Sequence, residues 1–223
     1  MIFPTEKHFI NIHTHRKPHS ADEWVLRNAF HKLTPEQITK LSYPVSVGIH
    51  PWYVHEKFEE VISHIESVLS VDNVLAIGEI GLDRAVNVGL ELQKIVFELQ
   101  LQLAVQYKKP VIIHTVKSNP DLIFYIKKYK IPFILHQYRG NEVQTLQFLK
   151  FDNVYFSFGK DLVSHQKILN SFSQIPLNRI FLETDTSRLP IENIYTFFAD
   201  FKKMKLLDLQ LLMYQNLKNV FQF

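Results

Sequence analysis

Seven short apolar runs, most of them closed by a histidine or a carboxylate, constrain the fold of this chain more than any other feature. They are FINIH at 9–13, VSVGIH at 45–50, VLAIGEI at 74–80, VIIHT at 111–115, FILHQY at 133–138, VYFSFG at 154–159 and IFLETD at 180–185. Each is continuous rather than alternating and rich in β-branched and aromatic residues, the pattern of a strand covered on both faces of a parallel sheet. Helical periodicity fills the gaps. The clearest stretch is about 89–107, where Leu92, Ile95, Val96, Leu99 and Leu103 recur at spacings of three and four as one apolar stripe. Further helices are expected near 56–70, 120–129, 142–150, 161–173 and 206–220. The alternation gives an α/β fold, with right-handed crossovers leading to a TIM-type (β/α) barrel or a doubly wound sheet. Seven strands are legible and no eighth is visible between Pro190 and Lys205, so the expected barrel is incomplete or distorted.

The chain reads as one barrel domain, 1–223, since no internal repeat or low-complexity linker interrupts the pattern and six glycines leave little room for tethers. A hydrophobic fraction of 46% supports a sizeable core, and a charged fraction of 21% is ordinary for a soluble protein. The formal charge of +3 falls short of the dense basic field of a dedicated nucleic-acid-binding protein, yet it would not repel a polyanion. There is no apolar leader in MIFPTEKHFINIHTH and no apolar window long enough for a membrane span, so a cytoplasmic protein is expected, and no segment looks like an interface, so a monomer is expected. The absence of cysteine excludes disulfides and thiolate ligands, so any metal must sit on nitrogen and oxygen donors.

The placement of ionisable residues points to such a metal. His13 and His15 close the first run, His50 the second, Glu79 the third, His114 the fourth, His136 the fifth, and Glu183 with Asp185 the seventh. In a parallel barrel these ends gather at one mouth, where barrel enzymes keep their active sites. His13 and His15 are two apart, so on an extended strand both imidazoles face the barrel axis. A single strand histidine is more often a core or rim residue. Four histidines with Glu79 and Asp185 are another matter, because carboxylates are costly to bury without a cation to neutralise them. Imidazole and carboxylate donors suit Zn²⁺, Mn²⁺ or a similar cation, and a bridging Glu79 would allow two ions, with Mg²⁺ a further candidate. His50 contacts substrate or is structural, and Trp52 and Tyr53 offer a base-stacking surface or cover core. His8, His19, His31, His55, His64 and His165 fall in loops or helices and are read as surface residues.

At these residues the chain resembles the TatD family of metal-dependent hydrolases, within the amidohydrolase-like barrels. The family's DxHxH appears as NIHTH at 11–15, its GxHP as GIHP at 48–51, and GEIGLD stands intact at 78–83. A histidine follows in VIIHT, HQYRG at 136–140 parallels HxFxG, ETD occupies 183–185, and NLKNVF at 216–221 is like the closing element. The resemblance implies a TIM-type barrel, one to three divalent cations, and hydrolysis of phosphodiesters, often as a DNase acting from DNA ends. It also implies His13, His15, Glu79, His114, His136 and Asp185 as ligands.

Four departures concern the surroundings. Asn11 replaces the usual Asp, Val116 stands where an arginine follows the strand-four histidine, the segment after GLD is short, and TSRLP follows ETD. Lys117, Arg139 or Lys160 is then the basic group expected near phosphate, and single-stranded DNA or another phosphodiester is the expected substrate. On this reading His13, His15 and Asp185 hold one cation, His114 and His136 hold the other, and Glu79 lies between. Asp185, with Glu79, serves catalysis by orienting water or accepting its proton. Glu183 either orients a histidine or pairs with Arg188 or Lys160. The competing readings are a metal-dependent amidohydrolase or small-molecule phosphoesterase, and a non-catalytic metal- or nucleic-acid-binding protein.

Overall fold

The computed structural model describes residues 3–221. Eight parallel strands form a single sheet in sequence order. They are β1 (Phe9–Thr14), β2 (Glu23–Asn28), β3 (Val45–Val47), β4 (Val74–Asp83), β5 (Val111–Val116), β6 (Phe133–Leu135), β7 (Val154–Phe158) and β8 (Ile180–Leu182). Just beyond β8 the sheet closes on itself, because Thr14 bridges Asp185 in parallel. Asp185 N donates to His13 O at 3.0 Å and His15 N donates to Asp185 O at 3.1 Å. The seam of the barrel therefore runs through the residues that carry its ionisable mouth.

The continuous runs behave as their composition predicts. Val111, Ile112 and Ile113 are all fully buried, although successive side chains of a strand face opposite ways. One face fills the barrel and the other meets the helical layer. Each such side chain contributes roughly 1.5–3 kcal/mol on leaving water.

The eighth strand corrects the expectation of seven. It lies between the first two runs, as β2, and its sequence EWVLRN hides it because Glu23, Arg27 and Asn28 break the apolar pattern. Each has a tertiary partner: Asn11 Nδ2 donates to Glu23 Oε1 at 2.7 Å, Arg27 reaches the Tyr43 hydroxyl at 3.0 Å, and Asn28 Nδ2 donates to Glu79 Oε2 at 3.4 Å. Asn28 Oδ1 accepts from Phe30 N at 2.9 Å. The connection 15–22 between β1 and β2 carries no helix.

Between Pro190 and Lys205 the chain forms helix α8 (Ile191–Lys202), preceded by α1 (Pro35–Thr39), α2 (Phe58–Val68), α3 (Leu90–Gln106), α4 (Asn119–Lys128), α5 (Glu142–Phe148), α6 (Asp161–Ser164) and α7 (Gln166–Ser173), and followed by α9 (Leu206–Phe221). The expected helix at 161–173 is thus two, separated at His165, whose backbone is extended. Helix α8 packs on β1, where the buried Tyr195 hydroxyl accepts from Ile10 N at 2.8 Å and donates to Ile10 O at 3.0 Å.

Helix α3 matches its expected span but is rotated from the expected stripe. Ile95 is 52% exposed, whereas Gln93 and Gln100 are buried. Both glutamines clasp strand ends under the mouth. Gln93 Oε1 accepts from Asp83 N at 2.8 Å and its Nε2 donates to Asp83 O at 3.0 Å. Gln100 makes the corresponding pair with Ile49, at 2.7 and 3.3 Å. A backbone group buried without such a partner would cost about 1–3 kcal/mol, so these side chains fix where β4 and the end of β3 deliver their functional residues. On β4, Gly81 has φ 148°, and a Cβ there would meet His114 O at 1.9 Å, which leaves glycine as the residue that lets β4 pass β5.

Candidate metal centre

The six residues singled out at the strand ends converge at one mouth. Asp185 Oδ1 lies 3.6 Å from His13 Nε2 and 3.2 Å from His15 Nε2. Glu79 reaches both sides of the cluster. Its Oε2 is 3.5 Å from His13 Nε2, and its Oε1 is 2.9 Å from His114 Nδ1 and 3.5 Å from His136 Nε2. Three sets of donor atoms each lie within 4.8 Å of one another: His13–His15–Asp185, His13–Glu79–His136 and His50–Glu79–His114. The first set is the trio expected around one cation. In the others His136 and His114 are divided, with Glu79 common to both.

The histidines are oriented from behind. His136 Nδ1 lies 2.7 Å from Glu183 Oε1, and a carboxylate can only accept, so Nδ1 carries a proton and Nε2 is the nitrogen turned toward the cluster. This places the fully buried Glu183 behind His136 rather than against Arg188 or Lys160. His114 Nε2 lies 3.0 Å from Asp83 Oδ2.

His50 is held differently. Its Nδ1 accepts from Trp52 N at 3.1 Å, so the neutral ring carries its proton on Nε2, 3.2 Å from Glu79 Oε1. In this tautomer His50 donates to Glu79 and offers the cluster no lone pair.

Charge follows the same geometry. Burial alone would raise the Glu79 carboxyl, but His136, His114, His13 and His50 outweigh it and hold it well below the ordinary carboxylate range. Asp185 is likewise held low despite burial, by His13 and His15. Burial alone would lower His13 and His114; Asp185 and Glu79 raise the first, and Glu79 and Asp83 raise the second. Burial lowers His50.

A cation fits this arrangement. The His13 ring is fully buried, and neither of its nitrogens has a hydrogen-bond partner. The nearest carboxylate oxygens, at 3.5 and 3.6 Å, are beyond good hydrogen-bonding distance. Such an orphaned group costs about 1–3 kcal/mol unless something else satisfies it. A divalent ion among nitrogen and oxygen donors would satisfy Nε2, the nitrogen that faces Glu79 and Asp185, and would neutralise those carboxylates.

Residues 33–222 match the family described as TatD related DNase. The chain belongs to the TatD family. The human protein described as the 3'-5' RNA nuclease TATDN2 is 34% identical over 146 residues, 62% of this chain and 19% of that protein. The 3'-5' ssDNA/RNA exonuclease TatD of Edwardsiella piscicida is 28% identical over 151 residues, 65% of this chain and 58% of that one. This chain spans between 19% and 59% of the lengths of the first curated relatives it matches. Among solved structures, the TatD homolog YJJV from Escherichia coli K12 is 20% identical and covers 98% of this chain and 100% of its own, with a TM-score of 0.84, a likeness of fold.

Around the TatD-type cluster, the rim differs from its floor. A cleft of about 530 Å³ beside His114 and His136 is lined by Lys117, Gln137, Arg139 and Gln144 among others. Lys117 is exposed. Arg139 pairs with Asp161 and donates to Gln137 Oε1 at 2.9 Å, while Gln137 Nε2 donates to Asp185 Oδ2 at 2.7 Å. Lys160 is exposed just before α6, outside the residues that line this cleft. Of the histidines expected at the surface, His19, His55 and His165 are exposed, whereas His8, His31 and His64 are half-buried. His64 Nε2, for example, lies 3.1 Å from Leu33 O.

Two residues of the site escaped the sequence reading. Asp83 shares strand parity with Glu79, a period-two signal that could have found it. Gln137 follows His136 in a left-handed backbone (φ 41°) that nothing in its sequence neighbourhood announces.

Proposed function

We propose that this chain is a metal-dependent phosphodiesterase acting on nucleic acid, with single-stranded DNA as its first candidate substrate. The observation that carries the reading is the convergence of Asp185 and Glu79 on His13, an imidazole buried without hydrogen bonds. His13, His15 and Asp185 would hold one divalent cation, Zn²⁺, Mn²⁺ or Mg²⁺. A second would draw on Glu79 with His136 or with His114, which fall in separate donor sets that share this carboxylate. Bound there, such ions lower the pKa of water toward neutrality and offset charge that builds on phosphate oxygens.

The chain's own groups do the rest. Gln137 fixes Oδ2 of Asp185 and so holds Oδ1 against His13 and His15, from where the carboxylate would orient an attacking water or accept its proton. His50 holds Glu79 in place by donating to it. Lys117 and Arg139 line the adjoining cleft and would face the non-bridging oxygens, the role for which the segment after β5 lacks an arginine. The names of the human and Edwardsiella relatives favour a nucleic-acid substrate. No helix among the described residues is long and apolar enough to cross a membrane. We take residues 1–223 as one catalytic domain, working as a monomer in the cytoplasm.

The test is nucleotide release from an end-labelled single-stranded oligonucleotide with added Mg²⁺, Mn²⁺ or Zn²⁺, beside Asp185→Asn. Metal-dependent cleavage that the variant loses supports the reading. A protein that binds stoichiometric metal and leaves DNA and RNA intact would overturn it in favour of a small phosphodiester or an amide.

A further inference from the structure

We infer that Phe30, Trp52 and Tyr53 form a stacking platform on which the unpaired bases of a single strand rest while its backbone lies over the histidine–carboxylate cluster. This rests on the nucleic-acid reading and adds to it the subsite that would select unpaired strands.

Consecutive aromatic residues on a barrel rim ordinarily cover core, and these do not. Trp52 and Tyr53 are 56% and 51% exposed, whereas the other tryptophan, Trp24, is 4% exposed. Water-exposed aromatic faces forgo a large burial energy, and here they are held rigidly in that position. Pro51–Tyr53 form a short 3-10 turn capped by His50. The Trp52 indole is tethered at its edge, with Nε1 donating at 2.8 Å to Asp83 Oδ2, the same oxygen that lies 3.0 Å from His114 Nε2. Its ring centroid is 5.1 Å from His50 and 6.2 Å from His114.

The half-buried Phe30 completes the ridge from the loop after β2. Its φ of 54° lies in the left-handed region, uncommon for a bulky residue and held here by the surroundings. Phe30 N donates to Asn28 Oδ1 at 2.9 Å and Gly48 N donates to Phe30 O at 3.0 Å. The outcome is a ring 5.2 Å from His15 and 5.9 Å from Tyr53. The exposed Lys32 ammonium stands 5.7 Å from the Phe30 ring, so positive charge accompanies the aromatic surface.

Aromatic faces interleaved with cations, beside a phosphodiester-cleaving centre, match a nucleotide strand: rings take bases and cations take phosphates. Bases inside a duplex are already stacked on one another and have no free face to offer. The ridge therefore discriminates for unpaired ends and single strands.

The experiment uses the full chain with chelator, so that binding is read without cleavage. Fluorescence anisotropy of a labelled oligothymidylate, and of the same length of abasic backbone, is measured for wild type, Trp52→Ala, Trp52→Phe and Tyr53→Ala. We expect the alanine variants to bind the base-bearing strand roughly five- to a hundredfold more weakly. Trp52→Phe, which keeps a ring but loses the bond to Asp83, should stay within a few-fold of wild type, and the abasic strand should not distinguish the four proteins. Because Trp24 is buried, quenching of tryptophan emission by the oligothymidylate should follow Trp52. A wild type that cleaves DNA yet binds both strands equally, or alanine variants that bind normally, would overturn the platform and leave the nuclease reading standing. A wild type that neither binds nor cleaves nucleic acid would remove both.

Discussion

The floor of the mouth and its rim are built on opposite rules. On the floor, His13, Glu79, Asp83 and Glu183 are almost wholly buried, and most of the cluster's side chains have a second partner that fixes them: Glu183 behind His136, Asp83 behind His114, His50 behind Glu79, Gln137 behind Asp185. On the rim, Lys117 and Arg139 on loops and Trp52 and Tyr53 on a short 3-10 turn are exposed. Chemistry that needs fixed geometry is placed where packing over-determines it. The contacts proposed for substrate sit where side chains reach solvent.

The largest effect that would sharpen this contrast is expected at Asp185. Asp185→Asn should lower kcat on an oligonucleotide by about 10²–10⁴-fold. The fold should persist, read by an unchanged circular dichroism spectrum, because the amide keeps the size and the backbone bridge to Thr14 is unaffected. An Asn variant with normal kcat would remove Asp185 from the proton-handling role.

Next comes the support of the floor. Asn11, fully buried, donates to the buried Glu23, so Asn11→Asp would set two carboxylates against each other. It should cost about 3 kcal/mol or more in urea unfolding, and Glu23→Gln should restore most of that loss by turning the contact back into a hydrogen bond. Equal stability of Asn11→Asp and wild type would show that the floor tolerates unpaired charge. Glu183→Ala frees the Nδ1 proton of His136 and should weaken metal binding about 10–100-fold by calorimetry.

Proton competition gives a smaller, graded test. In chelated protein the raised pKa values of His13 and His114 contribute stability that is fully present below the unfolded-state value of about 6.5 and lost as pH rises through the folded-state values. A cation must displace those protons, so metal affinity should rise with pH over the same interval, about tenfold per unit for each proton released. Calorimetry in buffers of different ionisation enthalpy counts the protons. Zero release would mean the imidazoles are already neutral. The smallest effect is expected on the rim: Lys117→Ala should raise KM for an oligonucleotide a few-fold, within the ~1 kcal/mol range of an exposed charge, and leave metal affinity as it was.

How much of this was legible follows from what each signal measures. Seven strands showed as continuous apolar runs because burial on both faces is a property of the run itself. β2 did not, since Glu23, Arg27 and Asn28 are made tolerable by partners outside the strand, among them Asn11, Tyr43 and Glu79. In α3 the stripe through Ile95 misled because Gln93 and Gln100 are buried by bonds to backbone on β4 and after β3. Hydropathy cannot anticipate a polar residue with a distant partner.

The sequence by itself determined the residue types at the strand ends, and the parallel arrangement determined that those ends share a mouth. Period-two geometry put His13 and His15 on one side without further help. Tertiary structure alone decided where the barrel closes, which nitrogen of His136 meets Glu183, and that Gln137 holds Asp185. Those outcomes depend on contacts between groups up to 172 residues apart, such as Asp185 N with His13 O. Local periodicity carries no information about them, because the register of closure is fixed only when all eight strands have paired.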